Sequence, residues 1–88
     1  MANMDFDTHT VLTNKIKQLV SEKLNVDAPS IDTKLIEEGY LDSLLFIDLL
    51  MALEQEFSIV IELDRVDFDN FATINAIADF VGTELGSD

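Results

Sequence analysis

Cysteine and tryptophan are absent from these 88 residues, and proline, histidine and tyrosine occur once each. Without cysteine there is no disulfide framework, no thiolate metal site and no cysteine nucleophile. The single histidine, His9, sits in the N-terminal segment and reads as a solvated residue near the first helix. Basic residues are scarce. Five Lys and Arg against 18 Asp and Glu leave a formal net charge of −13, which excludes nucleic acid as a partner because phosphate binding needs a basic face. The longest apolar stretch, around Leu44 to Leu53, is broken by Asp48 and is too short to cross a bilayer. Met1 to Asp5 has neither the basic start nor the apolar stretch of a signal peptide, so a cytoplasmic, non-transmembrane protein is expected.

Hydrophobic residues make up 48% of the chain, enough for one modest core and too little chain for a second. A single domain over residues 1–88, ordered from about 8 to 85 and monomeric, is expected. The charge is unevenly spread. Up to Asp42 eight acids face four lysines, whereas from Ser43 onward ten acids face only Arg65. Such a surface serves either solubility or fast, salt-screened docking of basic partners, and its self-repulsion costs the fold stability at low ionic strength.

The apolar spacing is helical. Val11, Leu12, Ile16, Leu19, Val20 and Leu24 predict an amphipathic first helix from about Thr8 to Leu24, with Asp7 or Thr8 as N-cap. A long connection holding Pro29 and Ser30 follows, over which Ile31, Leu35 and Ile36 are expected to tuck onto the core. A loop this long in so small a domain tends to be functional. A second helix is predicted from about Ser43 to Phe57, with Leu44, Ile47, Leu50, Met51 and Phe57 as its buried stripe and Asp48, Glu54, Gln55 and Glu56 facing out. Leu45, Phe46 and Leu49 exceed what one stripe can hold, so partial exposure of Leu45 or Phe46 toward a partner is expected. Ser58 to Ile61 is β-branched but has no second strand to pair with, and reads as an extended segment whose Ile59 and Ile61 plug the core. A short helix or turn near Asp64 to Asp69 precedes a last helix capped by Thr73, with Ile74, Ile77, Ala78, Val81 and Leu85 at helical spacing and Gly86 at its end. The fold class is therefore all-α: three main helices, one short helix and a long loop between the first two.

Ser43 stands just after Asp42 at the start of the second helix, where its hydroxyl is presented to solvent. Serine catalysis needs a base within hydrogen-bond reach, and neither His9 nor Lys34 in the preceding loop is marked for that task. The Gly-x-Ser-x-Gly elbow is missing too. Ser43 is either a plain helix cap or a side chain that another protein modifies. Glu37 and Glu38 point apart on any regular element and read as solvated loop charges. A calcium loop from Asp67 fails, because Phe71 and Ala72 take its fifth and sixth positions and Ala78 its twelfth. No catalysis and no metal site are expected.

Asp42-Ser43-Leu44, followed by Ile47-Asp48-Leu49 and Met51-Ala52-Leu53-Glu54-Gln55-Glu56-Phe57, resembles the acyl carrier protein family. The resemblance covers essentially the whole chain and implies a small four-helix acyl-carrier-like bundle. It implies 4′-phosphopantetheine esterified to Ser43 by a separate phosphopantetheinyl transferase using coenzyme A, with Asp42 and Leu44 as transferase-recognition flanks. It also implies Asp48, Met51 and Glu54 as partner-recognition positions, while the apolar Leu45 and Phe46, where fatty-acid-synthesis carriers are commonly polar, point to recognition of partners unlike those of housekeeping fatty-acid synthesis. The Glu37 to Ser43 approach and the spacing from Phe57 to Thr73 are similar to stand-alone D-alanyl carrier proteins, although Glu62 and Phe71 replace the proline and tryptophan usual there. That implies an aminoacyl or acyl thioester carrier served by an adenylate-forming ligase and a downstream acyl or aminoacyl transferase. The alternatives are a specialised fatty-acid or polyketide-type carrier and a non-covalent acidic helical adaptor.

Overall fold

This computed structural model describes residues 8–62, 64 and 66–86. Helix α1 spans Thr8–Leu24, α2 spans Ser43–Phe57 and α3 spans Ile74–Gly86, with a short 3-10 helix at Phe68–Phe71 before α3. No strand occurs among the described residues. Asp5, Asp7, Leu63 and Arg65 lie outside the described residues.

Helix α1 buries the stripe its spacing predicts, Leu12, Ile16, Leu19, Val20 and Leu24, and it packs along both α3 and α2. Val11 is exposed at the edge of that stripe. Thr8 lies within α1 and does not cap it, and Asp7, the other cap expected, falls outside the described residues. Asn25 ends the helix in the left-handed conformation at φ 58°, a position Asn tolerates, and the Val26 N–H folds back onto the Val20 carbonyl at 3.0 Å.

The connection from 25 to 42 is stitched to the start of α3. The Leu35 N–H donates to the Ala72 carbonyl at 2.8 Å, and the Asn75 N–H to the Ile31 carbonyl at 2.9 Å. Val26, Ala28, Leu35 and Leu41 are buried from this segment, so it is packed as expected. Ile36 is the exception: it was expected on the core and is exposed. Gly39 turns the chain at φ 85°, a conformation that disfavours side chains. The turn is closed by Tyr40 and Leu41 N–H groups, both donating to the Leu35 carbonyl. This turn delivers Asp42 and Ser43 to the start of α2.

The buried face of α2 differs from the one expected. Phe46, Leu49, Leu50 and Leu53 are buried, whereas Leu44, Ile47 and Met51 are exposed and Phe57 is only partly covered. The helix is rotated relative to the expected stripe because aromatic partners wait on the Phe46 side. Phe46 meets Phe68 at 4.8 Å and Phe71 at 5.4 Å between ring centroids, and Phe71 meets Phe80 at 5.0 Å. Such pairs add to the burial each ring gains. In the following extended segment Ile61 is buried and Ile59 packs against the core.

Helix α3 buries Ile74, Ile77, Ala78 and Val81, and leaves Leu85 exposed near its end. Thr73 caps it as expected, its Oγ1 accepting the Ala76 N–H at 3.0 Å. His9 is not a merely solvated residue. Its Nε2 bonds Asn75 Oδ1, and its Nδ1 lies 3.2 Å from Asp79 Oδ1. The Asn75 amide in turn donates to Asp32 Oδ1 at 3.2 Å. One ring thus ties α1 to α3 and, through Asn75, to the long connection. His9→Ala removes these bonds, and urea denaturation should register a loss of about 1 kcal/mol, the usual net worth of such contacts; an unchanged midpoint contradicts this role.

Candidate functional site at the start of helix α2

The site begins with the cap. Asp42 has extended backbone, φ −119° and ψ −171°, and its carboxylate accepts the Leu45 N–H at 2.9 Å. Asp42, and not Ser43, is therefore the N-cap, and Ser43 is the first helical residue. The plain-cap reading of Ser43 is thereby removed. Its side chain is exposed, and its hydroxyl makes no hydrogen bond to any described residue. Lys34 is exposed in the preceding loop, and His9 is engaged on the α1–α3 seam. Among the described residues nothing is arranged to draw a proton from Ser43. The hydroxyl is available to an outside catalyst and inert by itself.

The place suits an anion. Backbone N–H groups in the first turn of a helix lack intrahelical partners, and the helix dipole adds partial positive charge there. A phosphodiester on Ser43 Oγ would carry its charge at that end of α2. The cap itself is testable. Asp42→Ala should cost about 1 kcal/mol in chemical denaturation, while Asp42→Asn, which keeps an accepting oxygen, should cost only a few tenths. Equal losses for the two variants contradict the capping role.

Ser43 also lines a groove of about 350 Å³ whose walls among the described residues include Ile36, Leu41, Asp42, Phe46 and Phe68. Ile36 and Phe68 line a second, smaller hollow of about 160 Å³ with Lys34, Glu37, Asp69 and Ala72. Sequence reasoning missed Phe68 and Ile36. Neither has a neighbour in sequence that marks it, and the fold alone brings them to Ser43.

The residues expected to meet partners separate into two groups. Leu44, Asp48 and Met51 are exposed and Leu45 is partly so. With Ile47 they form an outward face running down α2 from Ser43, an apolar stripe with one acid beside it. Of the pair in which partial exposure was expected, Leu45 keeps it, whereas Phe46 is 7% exposed and its ring meets Phe68 at a tilt and Phe71 edge-on. Glu54 is half-buried, and its carboxylate accepts the Ile61 N–H at 2.8 Å. It holds the segment after α2 against the helix, a structural task that its sequence neighbours do not announce. Among the described residues, no group of three or more potential ligands could hold a metal ion, and no helix is long and apolar enough to cross a membrane.

Comparison with known proteins agrees with this geometry. The family profile described as "Phosphopantetheine attachment site" matches residues 14–81. An acyl carrier protein of Thermotoga maritima is 35% identical over 75 residues, covering 83% of this chain and 90% of that protein. One from Wolinella succinogenes is 33% identical, covering 77% and 90%, and one from Thermosynechococcus vestitus is 27% identical, covering 86% and 94%.

Proposed function

The chain belongs to the acyl carrier protein family, a family of non-catalytic carriers bearing covalent 4′-phosphopantetheine, and from that premise we propose that Ser43 is the residue that bears it. The observation that supports this reading is a solvent-facing serine at the first position of α2, whose helix is capped by its neighbour and which has no base arranged beside it among the described residues. When attached, the arm supplies a terminal thiol that holds an acyl group as a thioester. Everything else asked of this chain is positional. Asp42 fixes the start of the helix and keeps a carboxylate beside the attachment point. The dipole of α2 favours the phosphate charge. The Ser43 oxygen would form its ester bond to the phosphorus that carries pantetheine while the pyrophosphate bond of coenzyme A breaks, 3′,5′-adenosine diphosphate leaves and the serine proton is released, all within the transferase.

The outward face of α2 is the docking surface in this reading. Leu44, Ile47 and Met51 give apolar contact, and Asp48 with the net charge of the chain draws basic partners in. Those partners are a phosphopantetheinyl transferase, an adenylate-forming ligase that charges the thiol, and a downstream acyl or aminoacyl transferase. The Glu37 to Ser43 approach supports an aminoacyl, D-alanyl-type cargo. The apolar walls of the groove beside Ser43 favour a second reading, an acyl group without an ammonium.

The test is intact mass. Incubation with a broad-specificity transferase and coenzyme A should add one phosphopantetheine, and no gain with any such enzyme contradicts the proposal. The docking surface is tested separately. Asp48→Lys and Met51→Glu should each lower kcat/KM of the charging or transferase step roughly tenfold, about 1.4 kcal/mol, with an unchanged circular dichroism spectrum. Wild-type kinetics in both variants would argue for a different face.

A further inference from the structure

Among the described residues Met51 holds the only sulfur, and the chain has no cysteine at all. Met51 is 52% exposed in the middle of α2. Helical spacing puts it one turn below Ile47 and two turns below Leu44, both exposed, with Asp48 three residues back on the same side. The thioether thus extends the apolar strip that runs down α2 from Ser43. It takes no part in the core, which α2 fills from its other side with Phe46, Leu49, Leu50 and Leu53.

We propose that Met51 is a site of reversible oxidation by a hydroperoxide, and that its sulfoxide weakens docking on this face without disturbing the fold. This inference rests on the outward face of α2 as the docking surface. A sulfur lone pair attacks one oxygen of hydrogen peroxide, and the O–O bond breaks as the S–O bond forms. Sulfur loses two electrons, and the second peroxide oxygen leaves as water with both protons. The side chain becomes polar where it was apolar. In the free protein the new oxygen stays in water, so oxidation costs the fold little. Docking strips that water away. Leu44 and Ile47 have no donor to replace it, and the Asp48 carboxylate only accepts. The net charge of −13 repels anionic oxidants but raises no barrier to a neutral peroxide. Before the arm is attached, no thiol of this chain competes for the oxidant.

The test uses the full-length chain without its arm, so that its own side chains alone meet the oxidant. The protein is treated with hydrogen peroxide, freed of it by catalase and desalting, and given to a broad-specificity phosphopantetheinyl transferase with coenzyme A. Fragmentation mass spectrometry locates the added oxygen, and intact mass follows arm transfer. Met51 should carry one oxygen with an unchanged circular dichroism spectrum. The kcat/KM of transfer should fall roughly tenfold, the low end of what an unpaired polar group costs on burial. Methionine sulfoxide reductases acting on both epimers should restore the untreated rate. Met51→Leu keeps Met1 and Met4, and its treated and untreated rates should coincide whatever its starting rate. A Met51 sulfoxide that reacts at the untreated rate overturns the inference. So does an equal loss in Met51→Leu, which assigns the effect to Met1 or Met4, and so does a Met51 left unoxidised by peroxide that converts free methionine. Met51→Glu in the same assay separates the two levels. Slow transfer in Met51→Glu beside normal transfer in the sulfoxide removes this inference and leaves the docking surface standing, whereas normal transfer in both removes the two together. A protein that gains no arm even untreated overturns the carrier reading and this inference with it.

Discussion

Ser43→Ala should yield a folded protein that never acquires the arm. The loss is complete and not graded, because no other atom at the start of α2 can take the place of the Ser43 oxygen in a phosphate ester. Stability should barely move. The Ser43 side chain is exposed, and the cap belongs to Asp42, whose carboxylate already holds the Leu45 N–H. Surface substitutions away from such features stay within about 0.5 kcal/mol. The combination separates the two roles that a serine at a helix start can play. A serine that capped the helix would cost stability on removal, and one that accepts a modification costs only the modification. Equilibrium denaturation and intact mass, measured on the same preparation, give both numbers. A variant that still gains one phosphopantetheine moves the attachment elsewhere. A variant that loses a kilocalorie or more restores a capping role to Ser43.

Phe71→Ala should bring the fold close to collapse. Phe71 is fully buried at the end of the 3-10 helix, between Phe46 of α2 and Phe80 of α3. Removing a buried phenylalanine ring costs about 3–5 kcal/mol through lost transfer energy and the cavity left behind, and two ring contacts go with it. A domain of this size has little reserve, since native proteins as a class hold only about 5–15 kcal/mol and small ones bury the least surface. The excess negative charge opposes the compact state further. Urea denaturation should therefore show a midpoint shifted far down or no cooperative transition at all. A loss under about 1 kcal/mol contradicts the aromatic column as the element that joins α2 to α3.

The two results concern different levels of the molecule, and they were unequally visible in the sequence. Helix α1 could be read end to end because its apolar residues recur on one stripe and its other faces are polar. The bounds of α2 were equally plain, but its orientation was not. Apolar residues surround its first turns, so periodicity alone leaves several faces equivalent. The choice is made by Phe68 and Phe71, some twenty residues downstream, which draw Phe46 inward and turn Leu44, Ile47 and Met51 out. The same blindness to distant partners hid His9, whose acceptors Asn75 and Asp79 lie at the other end of the chain. It also hid Glu54, which holds a backbone N–H seven residues on.

The site itself was legible in its position and misread in one detail. An acid followed by a serine at the junction of loop and helix marks the start of α2. Either residue can cap by side-chain chemistry, and only the extended backbone of Asp42 assigns the cap to it. That assignment matters for function, because it frees the Ser43 hydroxyl. The groove was not visible at all. It is assembled from the loop, the first turn of α2 and the 3-10 helix, three segments with no local signature in common.

The most direct test of the account is to map the attachment by fragmentation mass spectrometry of the protein after reaction with a transferase and coenzyme A. One phosphopantetheine is expected, on the peptide containing Asp42 and Leu44, with the fragment ions placing it on Ser43. Attachment to Ser21, Ser30, Ser58 or any other hydroxyl, or no attachment under conditions that modify a control carrier, would contradict it.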